Sequence, residues 1–549
     1  MAIDLPPVMP PQLASSAQIA EAEQGTSSSK VEVTVGGIRL QVIGNRYLSD
    51  ADLRELLLAE ATPSAAITAL ARRYYNTGHF LVGLHYFRRG DTVVVMVSQH
   101  TLKGVRGDPA VRRHFRSLVG DPDLTLAEYD RARVLADMQA QRMGVSYRVS
   151  YEVHYDKQVI LDFIAEPVAD HQPSSGAIEV NNQGSRYLGR YFGLAGLSHE
   201  FGDGSKLNLG YQTAFVDLGG AEDGESYHQL DARVDRPFHF GLFGLDINHV
   251  RYEREPVVAE ENPTAGGCVL FFCQPGTVFV PVPLEAEITR LGVDGEQLLS
   301  STPRRRISVF EGIDYVDSEI VGDTEASRSE VLLEERYAVA SVGAKYAARG
   351  RLGQRPDFLT AQLALKVGVG GNDGTLRDRG SSEVSITNRS ADFVLLQPRL
   401  AYKFDLTPAW TTTFNLHGQL SNDVQLPQQQ QFVLGGLGSL SAYLPGALVG
   451  DQGVFLHIGV QRRWQFETLS LTPSVFVEYG AARYNDTDDD LGDSQTLSDA
   501  GVRVTVIPAG ESGLESELVV ARGLSEDVAD PARLDAFEAD FFWRVRWSF

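Results

Sequence analysis

The sequence predicts two small α+β repeats followed by a sixteen-stranded antiparallel transmembrane β-barrel. Three observations predict it. A unit of about seventy residues, with one order of strands and helices, occurs twice between residues 31 and 168. From about residue 175 helical periodicity gives way to sixteen long alternating segments. The connections between those segments alternate between short and long, as in barrels with short turns on one side of the membrane and long loops on the other.

The elements follow in chain order. Residues 1–30 hold an extended, polyproline-like stretch (DLPPVMPP, 4–11), a short helix over 12–24 and the flexible linker GTSSS. The first repeat is placed at 31–101. VEVTVGGIRLQVIG reads as a strand, and LSDADLRELLLAE as a helix with Ser49 or Asp50 as N-cap. SAAITALARRYYNTG reads as a second helix closed by Gly78, and the segments around Gly90-Asp91 as a hairpin. The second repeat is placed at 102–170. LKGVRG is its first strand. Thr125 and Glu128 form a capping box at the start of its longer helix, and a strand pair turns near Asp156-Lys157.

The barrel is placed at 171–549. Its segments run from 175–182 to 538–549, with the sixth and seventh at 284–292 and 303–317. Most are longer than the five or six residues usual in globular strands. Short connections include 201–204, 406–409, 466–470 and 508–512; long ones include 256–283, 372–391, 422–452, 483–495 and 524–537. In the last strand Phe541, Trp543, Val545, Trp547 and Phe549 alternate with Phe542, Arg544, Arg546 and Ser548, a lipid-out, lumen-in pattern. Trp410, Trp464 and Trp547 all fall beside short turns or the chain end, at the level of an aromatic girdle.

Composition agrees. Residues 1–170 carry a net charge of −2 and the rest −21, out of −23 in all, which argues against nucleic-acid binding. Acidic residues concentrate in the barrel region, as in solvated loops. The only cysteines, Cys268 and Cys273, stand in a Pro/Gly-rich stretch, a spacing that suits a small disulfide loop, with two unpaired thiols as the alternative. The opening MAIDLPPVMPPQ has neither a basic nor an apolar signal region, so the chain reads as either a cytoplasmic protein or a processed form, and the barrel pattern favours the second.

Several motifs carry a resemblance. Asn181-Asn182-Gln183-Gly184-Ser185, followed by Gly189, lies on the first barrel strand. Gly435-Gly436, then Ser439-Leu440-Ser441-Ala442-Tyr443, then Gly450-Asp451, lies between strands eleven and twelve. Phe476, Glu478 and Gly480 lie on strand thirteen. With the two repeats and the barrel, these resemble the two-partner secretion transporters (TpsB, haemolysin-secretion type) of the BamA-like POTRA-barrel superfamily. The resemblance covers nearly the whole chain. It implies a Gram-negative outer-membrane transporter, in contact with outer-membrane lipids, whose periplasmic POTRA domains bind a secreted, usually β-helical, partner exoprotein. It further implies export through the barrel without a cofactor, a pore plugged by the helix near 12–24, and an inward loop near 422–452. Trp547 and Phe549 would form the ending read by the barrel assembly machinery. One departure stands out. The family loop reads Val-Arg-Gly-Tyr or Val-Arg-Gly-Phe, where this chain has Leu440, Ser441, Ala442 and Tyr443. Glu478 then lacks its expected cation, and a hydroxyl from Ser441 or Ser439 is expected to hold the loop instead.

Other readings are an outer-membrane insertase, a passive channel, or an adhesin using the uncharged stretch Cys268–Leu284. An enzyme is disfavoured, because the twelve histidines are scattered and the acidic run at 486–493 lacks EF-hand spacing.

Overall fold

The computed structural model describes all residues except 1–2, 25–29, 154–156, 186–187, 216–225, 255–256, 263–267, 270–271, 274–275, 282, 303, 325–326, 371–375, 379–388, 486–493 and 511–512. The acidic run 486–493 and Asp156 of the expected turn therefore lie outside the described residues.

The first α+β unit does not begin with a single strand. Gly36 and Gly37 take φ of 55° and 77°, which bends the alternating run into a hairpin of Lys30–Val35 and Ile38–Ile43. Helices Asp50–Leu58 and Pro63–Asn76 follow, capped by the side chains of Ser49 and Thr62. The hairpin Val82–Arg89 and Thr92–Gln99 then completes the sheet, with Thr92–Gln99 lying parallel to Ile38–Ile43. The second unit repeats this plan. Strand Thr101–Arg106 lies parallel to Gln158–Pro167, which pairs with Val145–Val153. Its long helix, Leu126–Arg142, starts at the expected capping box: Thr125 N–H donates to Glu128 Oε2 (2.8 Å) and Glu128 N–H donates to Thr125 Oγ1 (3.3 Å).

The segment before the first unit differs from the expected helix over 12–24. Gln12–Leu13 form a short strand on the edge of Val82–Arg89, and the helix begins only at Ser16. Three turns were expected of a sequence too short to hold a helix alone, and the open sheet edge takes its first residues. Nor does the helix lie where a plug is implied. Glu21 meets Lys157 Nζ at 3.0 Å, so it docks on the α+β units.

The barrel closes with sixteen antiparallel strands, Phe541–Ser548 pairing with Ser174–Asn181. Its period-2 facing is the expected one. Phe541, Val545, Trp547 and Phe549 are exposed, whereas Phe542 is fully buried. Trp410, Trp464 and Trp547 are likewise exposed, all at the rim of short turns. The sixth and seventh strands are longer than their expected 284–292 and 303–317. They span Leu284–Thr302 and Arg305–Thr324 and pair as far as Thr302 opposite Arg305. The expected sixth strand stops at Gly292, but Gly292 and Gly295 are points of close approach inside the observed one. A Cβ on Gly292 would lie 2.6 Å from an Asp246 carboxylate oxygen, and one on Gly295 would lie 2.5 Å from the Phe243 ring.

Helix Leu126–Arg142 fastens the second α+β unit to the short-turn rim. Gln139 Nε2 donates to the Asp203 carbonyl (2.9 Å), and Arg142 meets Asp235 at 2.6 Å in a nearly buried pair. Ser301 Oγ donates to Asp130 Oδ2 (2.7 Å), while Arg133 pairs with the other oxygen of that carboxylate (2.6 Å). Burial pushes His114 down to about 4; its Nε2 donates to Gln139 Oε1 (2.7 Å).

Candidate functional site

The connection between strands eleven (Trp410–Ser421) and twelve (Gln452–Arg462) folds into the barrel. Its ends form a two-strand ladder, Phe432–Leu434 with Leu448–Gly450. Between them the chain doubles back sharply. Gly435 and Gly436 have φ of 112° and 88°, which glycine adopts without strain. Gly435 N–H donates to the Ser439 carbonyl (2.6 Å), and Gly436 N–H to the Tyr443 carbonyl (2.7 Å). Leu440 sits at the turn with φ of 70°, a conformation costly for a side chain of its size, and is fully buried.

The loop rests on the wall of strands twelve to sixteen. Phe432, Leu434, Leu440, Tyr443 and Leu448 pack with Phe455, Phe476, Leu497, Val519 and Phe542. The returning segment Leu534–Ala539 covers the other side. Leu444 N–H donates to the Phe537 carbonyl (2.7 Å), and Ala539 N–H to the Ala442 carbonyl (2.8 Å). Gly480 makes this seat possible, because a Cβ there would come within 2.8 Å of the terminal carbons of Leu434 and Leu440.

The polar anchors form one rung across three strands. His457 on strand twelve pairs in register with Glu478 on strand thirteen, and Glu478 with Asp499 on strand fourteen. Both carboxylates are fully buried. Ser441 N–H donates to Glu478 Oε2 (2.6 Å), and Ala442 N–H donates to Asp499 Oδ2 (2.8 Å). His457 Nδ1 lies 2.8 Å from Glu478 Oε1. The expected hydroxyl contact of Ser441 with Glu478 is present. The same Oγ also accepts from Gly438 N–H (3.2 Å) inside the loop, and consecutive backbone amides meet the wall beside it. Such amides need no long cationic side chain, and buried carboxylates that accept them are strongly held. His457 stands beside Glu478 where the family arginine was expected.

The other motif residues have separate places. Tyr443 Oη donates to Glu526 Oε1 (3.0 Å) on strand fifteen. Asp451 accepts from Leu426 N–H (2.8 Å) and Asn485 N–H (2.9 Å), pinning both ends of the loop near the long-loop rim. Asn182 bridges the seam of first and last strands: its Nδ2 donates to the Phe541 carbonyl (3.1 Å), and Trp543 N–H donates to its Oδ1 (2.6 Å). Phe549 closes the same seam by exchanging two backbone hydrogen bonds with Gly176 (2.7 and 2.9 Å). Cys268 and Cys273 face each other in a two-residue ladder; their side chains lie outside the described residues. His457, Asp499 and Glu526 were not among the residues singled out. The even spacing 457, 478, 499 was the available signal, because strands joined by turns of matched length bring such positions level.

A closed sixteen-stranded antiparallel barrel, an inward loop and two N-terminal α+β units whose elements are consistent with POTRA domains define the fold. Residues 328–503, which include the loop and the rung, match the family model described as haemolysin secretion/activation protein ShlB/FhaC/HecB. Two solved structures share the chain's fold. CdiB from Escherichia coli has a TM-score of 0.67 at 14% identity, covering 96% of this chain and 92% of that one. CdiB from Acinetobacter baumannii has a TM-score of 0.60 at 14% identity, covering 96% and 91%. No curated protein sequence matches the chain.

Proposed function

We propose that the two α+β units lie in the periplasm of a Gram-negative cell and capture a secreted partner exoprotein, which then leaves through the barrel as the inward loop yields. Capture is by strand addition at the outer edges of the hairpins within 80–99 and 146–165. Backbone hydrogen bonds at a sheet edge give affinity without demanding one side-chain sequence. The observation that carries the reading is the loop's anchorage. It fills one side of the lumen, yet its buried polar ties to the wall run largely through a few backbone amides and Tyr443. The terminal Trp547 and Phe549, exposed at the short-turn rim, suit recognition by the barrel assembly machinery, and Cys268–Cys273 suits a disulfide in the external loop.

The test is export of the partner by cells carrying the chain with residues 31–168 removed. The barrel should still reach the outer membrane and migrate as a heat-modifiable band, and no partner should appear in the medium. Undiminished export would reject capture by these units.

A further inference from the structure

Residues 3–14 touch both α+β units at the same structural position. Ile3 bridges in parallel to Tyr147, and Asp4 N–H donates to the Tyr147 carbonyl (3.3 Å). Further along, Gln12 and Leu13 pair in parallel with His85 and Tyr86, and Ala14 N–H donates to the Tyr86 carbonyl (2.9 Å). Val82–Arg89 and Val145–Val153 are equivalent strands of the two repeats. Each follows the second helix of its unit, and each pairs antiparallel with the next strand. Without residues 3–14 each would be the outer edge of its sheet. One segment therefore covers the same edge twice.

Its sequence suits a displaceable cover. Pro6, Pro7, Pro10 and Pro11 have no N–H to donate, so pairing cannot spread along the middle of the segment. The same prolines keep the span extended and lower the entropy lost in holding it. Only the two ends pair, over a few residues, and in the parallel sense that is the weaker one.

The segment is also tied to the barrel. Ile3 and Met9 are buried in the core of the second unit. Ile3 N–H donates to Asp137 Oδ1 (2.7 Å), and the Ile3 carbonyl accepts from Arg133 Nη1 (2.9 Å). Arg133 pairs with Asp130, whose second oxygen accepts from Ser301 of the barrel. The segment, the second unit and the barrel rim thus meet at one buried ion pair.

We propose that residues 3–14 are a self-strap that occupies both capture edges and must be displaced by an extended, alternating segment of the partner. The proposal rests on the edge-capture reading above. Displacement would remove one acceptor from Arg133, which is how occupancy of the edges reaches the rim.

The test uses the full chain and two fluorescent probes, a peptide of residues 3–14 and an alternating Val-Thr peptide of the same length. The double variant Asp4→Pro, Ala14→Pro removes the two strap donors named above. Because apparent affinity scales with the fraction of open edges, the variant should bind both probes about tenfold or more tightly than the unaltered chain. Equal binding of the 3–14 peptide to both proteins, or none to a folded variant, overturns the strap. Binding of the 3–14 peptide alone supports the strap and rejects general edge capture. A second protein, Leu13→Cys with Tyr86→Cys, guards against a misfolded variant. Cross-linked, it should bind neither probe, and reduction should allow the 3–14 peptide to bind; identical binding before and after reduction overturns the proposal.

Discussion

The two sides of the barrel lumen are built from the same alternating strands but finished in opposite ways. On strands twelve to sixteen the part of the inner face beneath the loop is apolar and covered, with Glu478 and Asp499 fully buried, and ion pairs such as Arg544 with Glu515 (2.6 Å) lie nearer the short turns. On strands four to eight the inner face carries an ionic ladder. Arg233 pairs with Asp294, Arg290 with Asp246 (2.8 Å), and Lys345 with Glu296 (2.6 Å), all partly open to water. Period-2 alternation sets only which residues face inward; whether that face stays wet depends on what the chain lays over it. Hydrogen bonds on the covered side have no water to replace them, whereas those on the open side exchange with water at little cost. A passing chain would meet the open side.

The largest effect should come from the loop's seat. Gly480→Leu puts a side chain where Leu434 and Leu440 pack, so it should expel the loop and raise conductance in a planar bilayer several-fold. On strand three (Lys206–Ala214), at the margin of the open side, Gly210→Ala meets only ordinary contacts near Asp231 and should leave the current unchanged. A raised current in both would erase the distinction between the two sides.

Breaking ions should separate them next. Glu478→Ala strips the acceptor from Ser441 N–H and from His457 in a buried site, a loss of about 3–5 kcal/mol. Arg290→Ala on the ladder should cost at most about 1 kcal/mol. Heat-modifiability of the purified barrels, with protease access to the loop, reads both. Equal shifts would count against a dry loop side.

Much of this was legible beforehand, and the exceptions are physical. Alternation revealed the wall because side chains in a strand have a period of two, and the Trp410, Trp464 and Trp547 girdle marked its rim. Gly292 and Gly295 hid the length of the sixth strand because a glycine that makes room inside a sheet looks like one that ends it. Gly36-Gly37 did the reverse, hiding a turn inside an alternating run. The loop motif was visible, and so was a hydroxyl tie from Ser441 to Glu478, but the backbone anchorage was not. Backbone N–H groups are present in every residue, so no side chain at 441 or 442 signals that they donate to Glu478 and Asp499. The strap was hidden for a similar reason, since its pairing uses backbone at Asp4 and Ala14.

Acid should act at the dock on the short-turn rim and leave the loop's packing in place. His114 is held down to about 4 by burial, against an ordinary value near 6.5. The unfolded chain takes up a proton below about 6.5 and the folded chain does not until about 4. Stability from keeping His114 neutral is therefore full above 6.5 and lost as pH falls through 4, about 3 kcal/mol in all. Hydrogen exchange of helices Pro109–Phe115 and Leu126–Arg142 should accelerate over that window, and His114→Gln should flatten the response. The smallest effect is Tyr443→Phe. It removes one hydrogen bond, to Glu526, and should lower the unfolding free energy by about 1 kcal/mol while the apolar seat keeps the loop in place.

The central claim is that the loop seated on strands twelve to fourteen must yield for export. The most direct measurement is partner release from cells whose transporter carries Leu434→Cys and Gly480→Cys, positions in contact across the seat. With the cross-link formed, partner should be absent from the medium, and mild reduction should restore its release; Leu434→Cys alone should export normally, and Gly480→Cys alone, whose Cβ loosens the seat, should export at least as fast. Export from the cross-linked transporter at the unaltered rate would contradict the account.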